Sequence, residues 1–160
     1  MSKIRFFVMD VDGTLTDGKI YIGQEGELFK AFNVKDGCGI IYLLPRIEAI
    51  PVIITARNSV IVENRCKELH ISELYQNAID KLQVLHELLK KYGEDLSSVA
   101  YVGDDLPDIP CMTAVKEAGG FVMCPADSAE EIKQISDYIS SYSGGDGAVR
   151  DCIEYLVRNN

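Results

Sequence analysis

The chain has 160 residues, 25 acidic against 16 basic, and a formal net charge of −9. That length suits one domain, residues 1–160, with one sizeable core, and that acidity argues against nucleic acid as a general partner. No apolar run is long enough to cross a bilayer and the N-terminus lacks a signal-peptide pattern, so a cytoplasmic protein with no membrane attachment is expected. The five cysteines are odd in number and form no CxxC, which fits reduced, mostly buried thiols better than disulfides or zinc ligands.

Taken in chain order, Ile4-Arg5-Phe6-Phe7-Val8-Met9 is a nearly continuous apolar run cut off by Asp10-Val11-Asp12-Gly13-Thr14. It reads as a strand buried on both faces that delivers two carboxylates at its carboxyl end. Ile20-Tyr21-Ile22 and Leu28-Phe29 flank Gly23-Gln24-Glu25-Gly26, which predicts a β-hairpin between Lys19 and Phe32. Asp36-Gly37-Cys38-Gly39 reads as a loop entering a short helix over Ile40–Leu44, broken near Pro45. Pro51–Thr55 is a second buried strand, followed by a helix that Asn58 or Ser59 can cap. Glu73-Leu74-Tyr75 is a candidate short strand. Asp80 opens a helix carrying Leu82, Leu85, Leu88 and Leu89 on one face, and Gly93 stops it.

Val99–Val102 is a third buried strand, ending in Gly103-Asp104-Asp105-Leu106-Pro107-Asp108. A helix from Ile109 to Ala118, a fourth strand over Phe121–Cys124, a helix over Ser128–Ile135, a flexible loop Ser143–Gly147 and a last helix from Ala148 to Val157 complete the pattern. Strands alternating with helices predict an α/β fold, a doubly wound parallel sheet.

A parallel sheet brings its carboxyl strand ends to one edge, so Asp10, Asp12, Thr55, Lys81 and Asp104 can converge there. Their chemistry is mutually consistent. Asp10 can attack phosphorus, and Mg²⁺ held by Asp10, Asp104 and the Asp12 carbonyl would offset charge repulsion. Thr55 can hydrogen-bond a phosphoryl oxygen, Lys81 can neutralise developing charge, and the Asp12 side chain can serve as acid and base. Each residue alone also fits a plainer role: a polar turn, an exposed strand end, a half-solvated lysine in a first helical turn. The combination in this order is what points to phosphoryl transfer.

Asp10-x-Asp12-Gly13-Thr14, Thr55, Lys81 and Gly103-Asp104-Asp105-x-x-Asp108 resemble the four motifs of haloacid dehalogenase superfamily phosphatases. The longer match adds Phe32–Gly37, Ile54–Arg57, Leu74–Gln76 and Gly144–Arg150. It resembles the 3-deoxy-D-manno-octulosonate 8-phosphate phosphatase family over nearly the whole chain. The resemblance implies a haloacid dehalogenase-like Rossmannoid fold with a β-hairpin extension and no cap domain, and Mg²⁺-dependent hydrolysis of a phosphorylated sugar acid in lipopolysaccharide biosynthesis. It implies Asp10 as nucleophile, Asp12 as acid/base, and metal at Asp10, the Asp12 carbonyl and Asp104. Where the family pattern usually has Gly, this chain has Ala49, Ala56, His70 and Asn77.

Arg57, beside Thr55, can meet a substrate carboxylate bidentately, and Arg150 can be carried towards one by the glycine-rich segment before it. The gaps Gly18–Ile50 and Asn58–Asp80 are too short for a lid with its own core, and the hairpin has edges and apolar residues needing partners. A homo-oligomer with sites completed between subunits is therefore expected, and the resemblance implies that it is a homotetramer. Two rivals remain open from sequence. One is a phosphatase of a nonulosonate 9-phosphate. The other is a phosphorylation-switched, receiver-like binding module, against which the second aspartate of Asp10-x-Asp12 argues.

Overall fold

The structure, a computed structural model, describes residues 3–159. Strand β1 (Phe6–Met9) has every residue buried, which only a central strand covered on both faces can be. It pairs in parallel with β4 (Ile50–Ile54) on one side and β6 (Val99–Val102) on the other. Beyond these lie β5 (Glu73–Tyr75) at one edge, and β7 (Phe121–Cys124) followed by β8 (Tyr138–Ile139) at the other. The order is β5-β4-β1-β6-β7-β8, all parallel, as the alternating pattern predicts. The edge strand β8 escaped the sequence reading, because two residues are too few to show a period.

Alternation along the strands divides the core in two. Phe7, Met9, Ile53 and Val102 face Ile40 of α1 (Val34–Tyr42), Val62 and Cys66 of α2 (Val60–Glu68), and Val149 and Ile153 of α6 (Ala148–Asn159). Phe6, Val8, Ile54 and Tyr101 face Leu85 and Leu88 of α3 (Lys81–Tyr92), Met112 of α4 (Ile109–Glu117) and Ile132 of α5 (Glu130–Ile135). With both faces covered, the carboxyl edge is where the loops can gather polar groups.

The hairpin forms as expected, from β2 (Tyr21–Gly23) and β3 (Gly26–Phe29), as a separate two-stranded sheet. Tyr21 stacks on Phe29 with ring centroids 4.3 Å apart. Between Gly18 and Val34 the described chain builds only this hairpin, and between Asn58 and Lys81 only α2 and β5. Neither insertion is a cap domain.

Two expectations are corrected. Asp36–Gly39 is not a loop; it lies inside α1, capped by Asn33, whose side chain accepts from the Lys35 N–H at 2.8 Å. Its glycines serve close packing rather than a turn: a Cβ on Gly37 would sit 2.7 Å from Arg65 Nη2, and one on Gly39 3.1 Å from Arg150 Cδ. Ser143–Gly147 is likewise a docked segment. A Cβ on Gly144 would fall 1.9 Å from the Gly13 carbonyl oxygen, and the Gly145 N–H donates to the Thr14 carbonyl at 3.2 Å. Of the four residues standing where the family pattern has Gly, His70 (φ 56°) and Asn77 (φ 55°) do adopt left-handed backbone, whereas Ala49 and Ala56 do not.

Candidate active site

The first strand ends in a tight loop because three successive N–H groups, of Thr14, Leu15 and Thr16, all donate to the Val11 carbonyl. Thr16 Oγ1 accepts from Gly13 and Gly18 N–H, each at 3.2 Å, so the loop closes on its own side chain. Gly13, at φ 96°, is obligatory: a Cβ there would lie 2.0 Å from Asp104 Oδ2. The Thr14 hydroxyl donates to Asp104 Oδ1 at 3.0 Å and so ties the β1 loop to the β6 loop.

Lys81 stands at the start of α3, whose cap Asp80 accepts from the Gln83 N–H at 3.0 Å. Its Nζ lies 2.8 Å from Asp10 Oδ1 and 2.8 Å from Asp108 Oδ1. The expected half-solvated lysine is therefore corrected: its side chain is 4% exposed. Tertiary packing, with α3 laid against β4 and α4, encloses what a first-turn position would leave in water. Asp108 also accepts from the Tyr101 hydroxyl at 2.9 Å and the Asp104 N–H at 3.1 Å. Thr55 is buried, and its Oγ1 accepts from the Arg57 N–H at 3.4 Å.

Asp10, Asp12, Thr55, Arg57, Lys81 and Asp104 thus border one open cleft of about 250 Å³. Arg150 does not. It sits on α6 with its Nε 2.6 Å from Glu154 Oε1, bordering a separate cavity with Lys35, Tyr142 and Asp146. For three residues the sequence alone assigns no role. Asp108 had a signal in the Gly-Asp-Asp-x-x-Asp spacing. Thr14 lies within the first motif, which gives it no separate role. Lys30, whose Nζ is 2.6 Å from Asp12 Oδ1, had none, since only the fold brings the hairpin to the strand end.

The electrostatics ask for a cation. Burial, then the charge of Asp108, pushes Asp10 up to about 6, against the opposing pull of Lys81. Burial, then Asp10 and Asp108, pushes Asp104 up to about 8. Oxygens of Asp10, Asp104 and Asp108 approach within 4.8 Å of one another. Those of Asp108 already serve Lys81, Tyr101 and a main-chain amide, so Asp10 and Asp104 are the carboxylates left to ligate. Hard, all-oxygen donors of this kind fit Mg²⁺.

Residues 46–151 match the sequence profile of the haloacid dehalogenase-like hydrolases. The 3-deoxy-D-manno-octulosonate 8-phosphate phosphatase of Escherichia coli K12 is 44% identical over 156 residues, which is 97% of this chain and 80% of that protein. The Moraxella catarrhalis enzyme of the same name, crystallised with a magnesium ion, a phosphate ion and a KDO molecule, superimposes with a TM-score of 0.88 at 46% identity, covering 98% of this chain and 87% of that one. A cobalt-bound Haemophilus influenzae deoxy-D-mannose-octulosonate 8-phosphate phosphatase gives 0.89 at 31% identity, over 98% and 88%.

Proposed function

This chain belongs to the haloacid dehalogenase-like hydrolases and, within them, to the 3-deoxy-D-manno-octulosonate 8-phosphate phosphatase family, and on that premise we propose that it hydrolyses 3-deoxy-D-manno-octulosonate 8-phosphate to the free sugar acid and inorganic phosphate. The observation that carries this reading is a pair of unlike aspartates at one strand end. Asp10 is buried and paired with Lys81, whereas the Asp12 carboxylate is turned to Lys30 and Arg57.

Asp10 attacks phosphorus and forms an aspartyl-phosphate as the bond to the sugar oxygen breaks. Asp12 gives its proton to that leaving oxygen, then takes one from the water that attacks the phosphoryl group, and Asp10 is released. Asp10, Asp104 and the main-chain carbonyl of Asp12 would hold Mg²⁺, which would offset the repulsion between carboxylate and phosphate. Thr55 and Lys81 hold phosphoryl oxygens, and Lys81 balances the charge that develops on them. Asp108 holds Lys81 in place, and Thr14 does the same for Asp104.

Arg57, at the rim of the cleft, meets the sugar acid's carboxylate. Arg150 borders a different cavity of its own chain, so a carboxylate contact from it would have to reach the site of a neighbouring subunit. Ile22, Leu28 and Phe29 of the hairpin are all more than half exposed, which supports association through this element into a homotetramer. The five unbridged cysteines support a reducing, cytoplasmic setting. No helix among the described residues is long and apolar enough to cross a membrane.

Phosphate release from octulosonate 8-phosphate, a nonulosonate 9-phosphate and simple sugar phosphates, each with Mg²⁺ and with chelator, tests the reading. Octulosonate 8-phosphate should give the highest kcat/KM. A preference for the nonulosonate ester would move the assignment to that substrate. A stable acyl-phosphate with no turnover would replace catalysis by a receiver-like switch.

A further inference from the structure

Lysines usually keep their ammonium in water and bury only the stem. Lys30, the residue after β3, does the opposite: its side chain is 2% exposed. Nζ lies 2.6 Å from Asp12 Oδ1 and 2.8 Å from Glu27 Oε1. Glu27 in turn accepts from the Ser59 hydroxyl, just before α2. Lys30 thus spans the carboxylates of Asp12 and Glu27. On the other side of the same carboxylate, Arg57 Nε stands 3.9 Å from Asp12 Oδ2.

A buried cation with two carboxylate partners is an arrangement that fixes geometry, because each partner left alone would be an unpaired charge. We propose that Lys30 is a positioning residue for the proton-transfer step: its bond to Oδ1 turns the Asp12 carboxylate away from the metal ligands and leaves Oδ2 facing the cleft to exchange a proton with the leaving oxygen. Glu27 and Ser59 brace Lys30 from the far side, so the hairpin, which lies outside the motif loops, sets the aim of the acid. This rests on Asp12 as acid/base, the role given to it above.

The test uses the leaving group. An alkyl phosphate such as octulosonate 8-phosphate expels an alkoxide that needs a proton, while p-nitrophenyl phosphate expels an anion that does not. Because kcat/KM covers only steps through expulsion, it isolates the acid function. Lys30→Met should lower kcat/KM for the alkyl ester about 10²-fold and leave the aryl ester nearly unchanged. The rise in Tm that Mg²⁺ produces without substrate should persist, and Lys30→Arg should recover part of the loss. Equal losses on both esters, or a vanished Mg²⁺ response, would mean that Lys30 merely holds the fold, and the proposal would fall. Asp12→Asn is the control. If it shows the alkyl-selective loss and Lys30→Met does not, Lys30 has no positioning role. If Asp12→Asn itself shows no selectivity, the acid role of Asp12 fails and this inference with it. Should Lys30→Met not fold, Glu27→Gln, which removes only the brace, should show a smaller split in the same direction, and equal losses there would overturn the proposal as well.

Discussion

The Lys81 ammonium is shared evenly between two buried carboxylates, 2.8 Å from Asp108 and 2.8 Å from Asp10. One partner is anchored by Tyr101 and the Asp104 amide, so it fixes the lysine; the other is the candidate nucleophile. Removing the cation would leave two carboxylates facing each other in a buried site. Lys81→Ala should therefore abolish most turnover and also destabilise the metal-free protein, by roughly 3–5 kcal/mol as for other broken buried pairs. Urea unfolding without Mg²⁺ measures the second effect. Unchanged stability would mean that the carboxylates take up protons at no cost.

Metal removal provides the next test. Chelator should stop phosphate release, and restoring Mg²⁺ to about a hundred times its dissociation constant should stabilise the protein by about 2.7 kcal/mol. Asp10→Asn and Asp104→Asn should shrink that stabilisation. Asp12→Asn should keep it, because the proposed ligand there is the main-chain carbonyl, while hydrolysis falls by about 10²–10⁴. Thermal unfolding across a Mg²⁺ titration separates the three variants; a lost response in Asp12→Asn would place its side chain on the metal.

The glycine-rich segment before α6 makes a prediction far from the motifs. Gly145 bonds to the Thr14 carbonyl, the Gly144 N–H donates to Asp127 Oδ1 at 2.9 Å, and Ala129 N–H donates to the Asp104 carbonyl at 2.9 Å. This segment and the start of α5 thus hold the loops that carry Asp10 and Asp104 from behind. Gly144→Ala would drive a methyl into the Gly13 carbonyl. With displacements near 1 Å costing on the order of 10²-fold in rate, it should lower kcat about that much and weaken the Mg²⁺ response while far-UV circular dichroism stays native. Wild-type kcat in this variant would show that the loop gives way without disturbing the site.

Asp36 gives a pH signature away from the metal. It is buried within α1, and burial pushes its carboxyl from the ordinary 3.8 up to about 6, against the lowering effect of the Arg150 and Gly147 amides at the start of α6. A raised pKa means that the folded state binds the proton more tightly than the unfolded state. The group's stabilising contribution is thus present below about pH 4 and lost as pH rises through 6, by roughly 3 kcal/mol at 1.36 per unit. The stability of Asp36→Asn minus that of wild type should climb between pH 4 and 6 and level off above. Urea midpoints over that range check it, and a flat difference would show that Asp36 ionises freely in place.

The sequence by itself determined the order of the elements, all but the two-residue edge strand β8, because each longer element carries its own local physics. Four short apolar runs cut off by polar residues read as strands covered on both faces, and Asp80 and Gly93 bound α3 through bonds that reach no more than a turn away. It also placed Asp10, Asp12, Thr55, Lys81 and Asp104 at one sheet edge, since parallel strands leave no other edge for their carboxyl ends. Tertiary structure decided what depends on contact between distant segments. Asp36-Gly37-Cys38-Gly39 looks like a loop by composition, and it is helical because its glycines admit Arg65 and Arg150 at van der Waals distance. Ser143–Gly147 looks mobile, and it is docked because only glycine fits against the Gly13 carbonyl. Lys81 looks half-solvated, and it is enclosed. Lys30 carries no signal because its meeting with Asp12 spans the hairpin, and such a bond depends on how the hairpin folds back over the strand end, which no periodicity encodes.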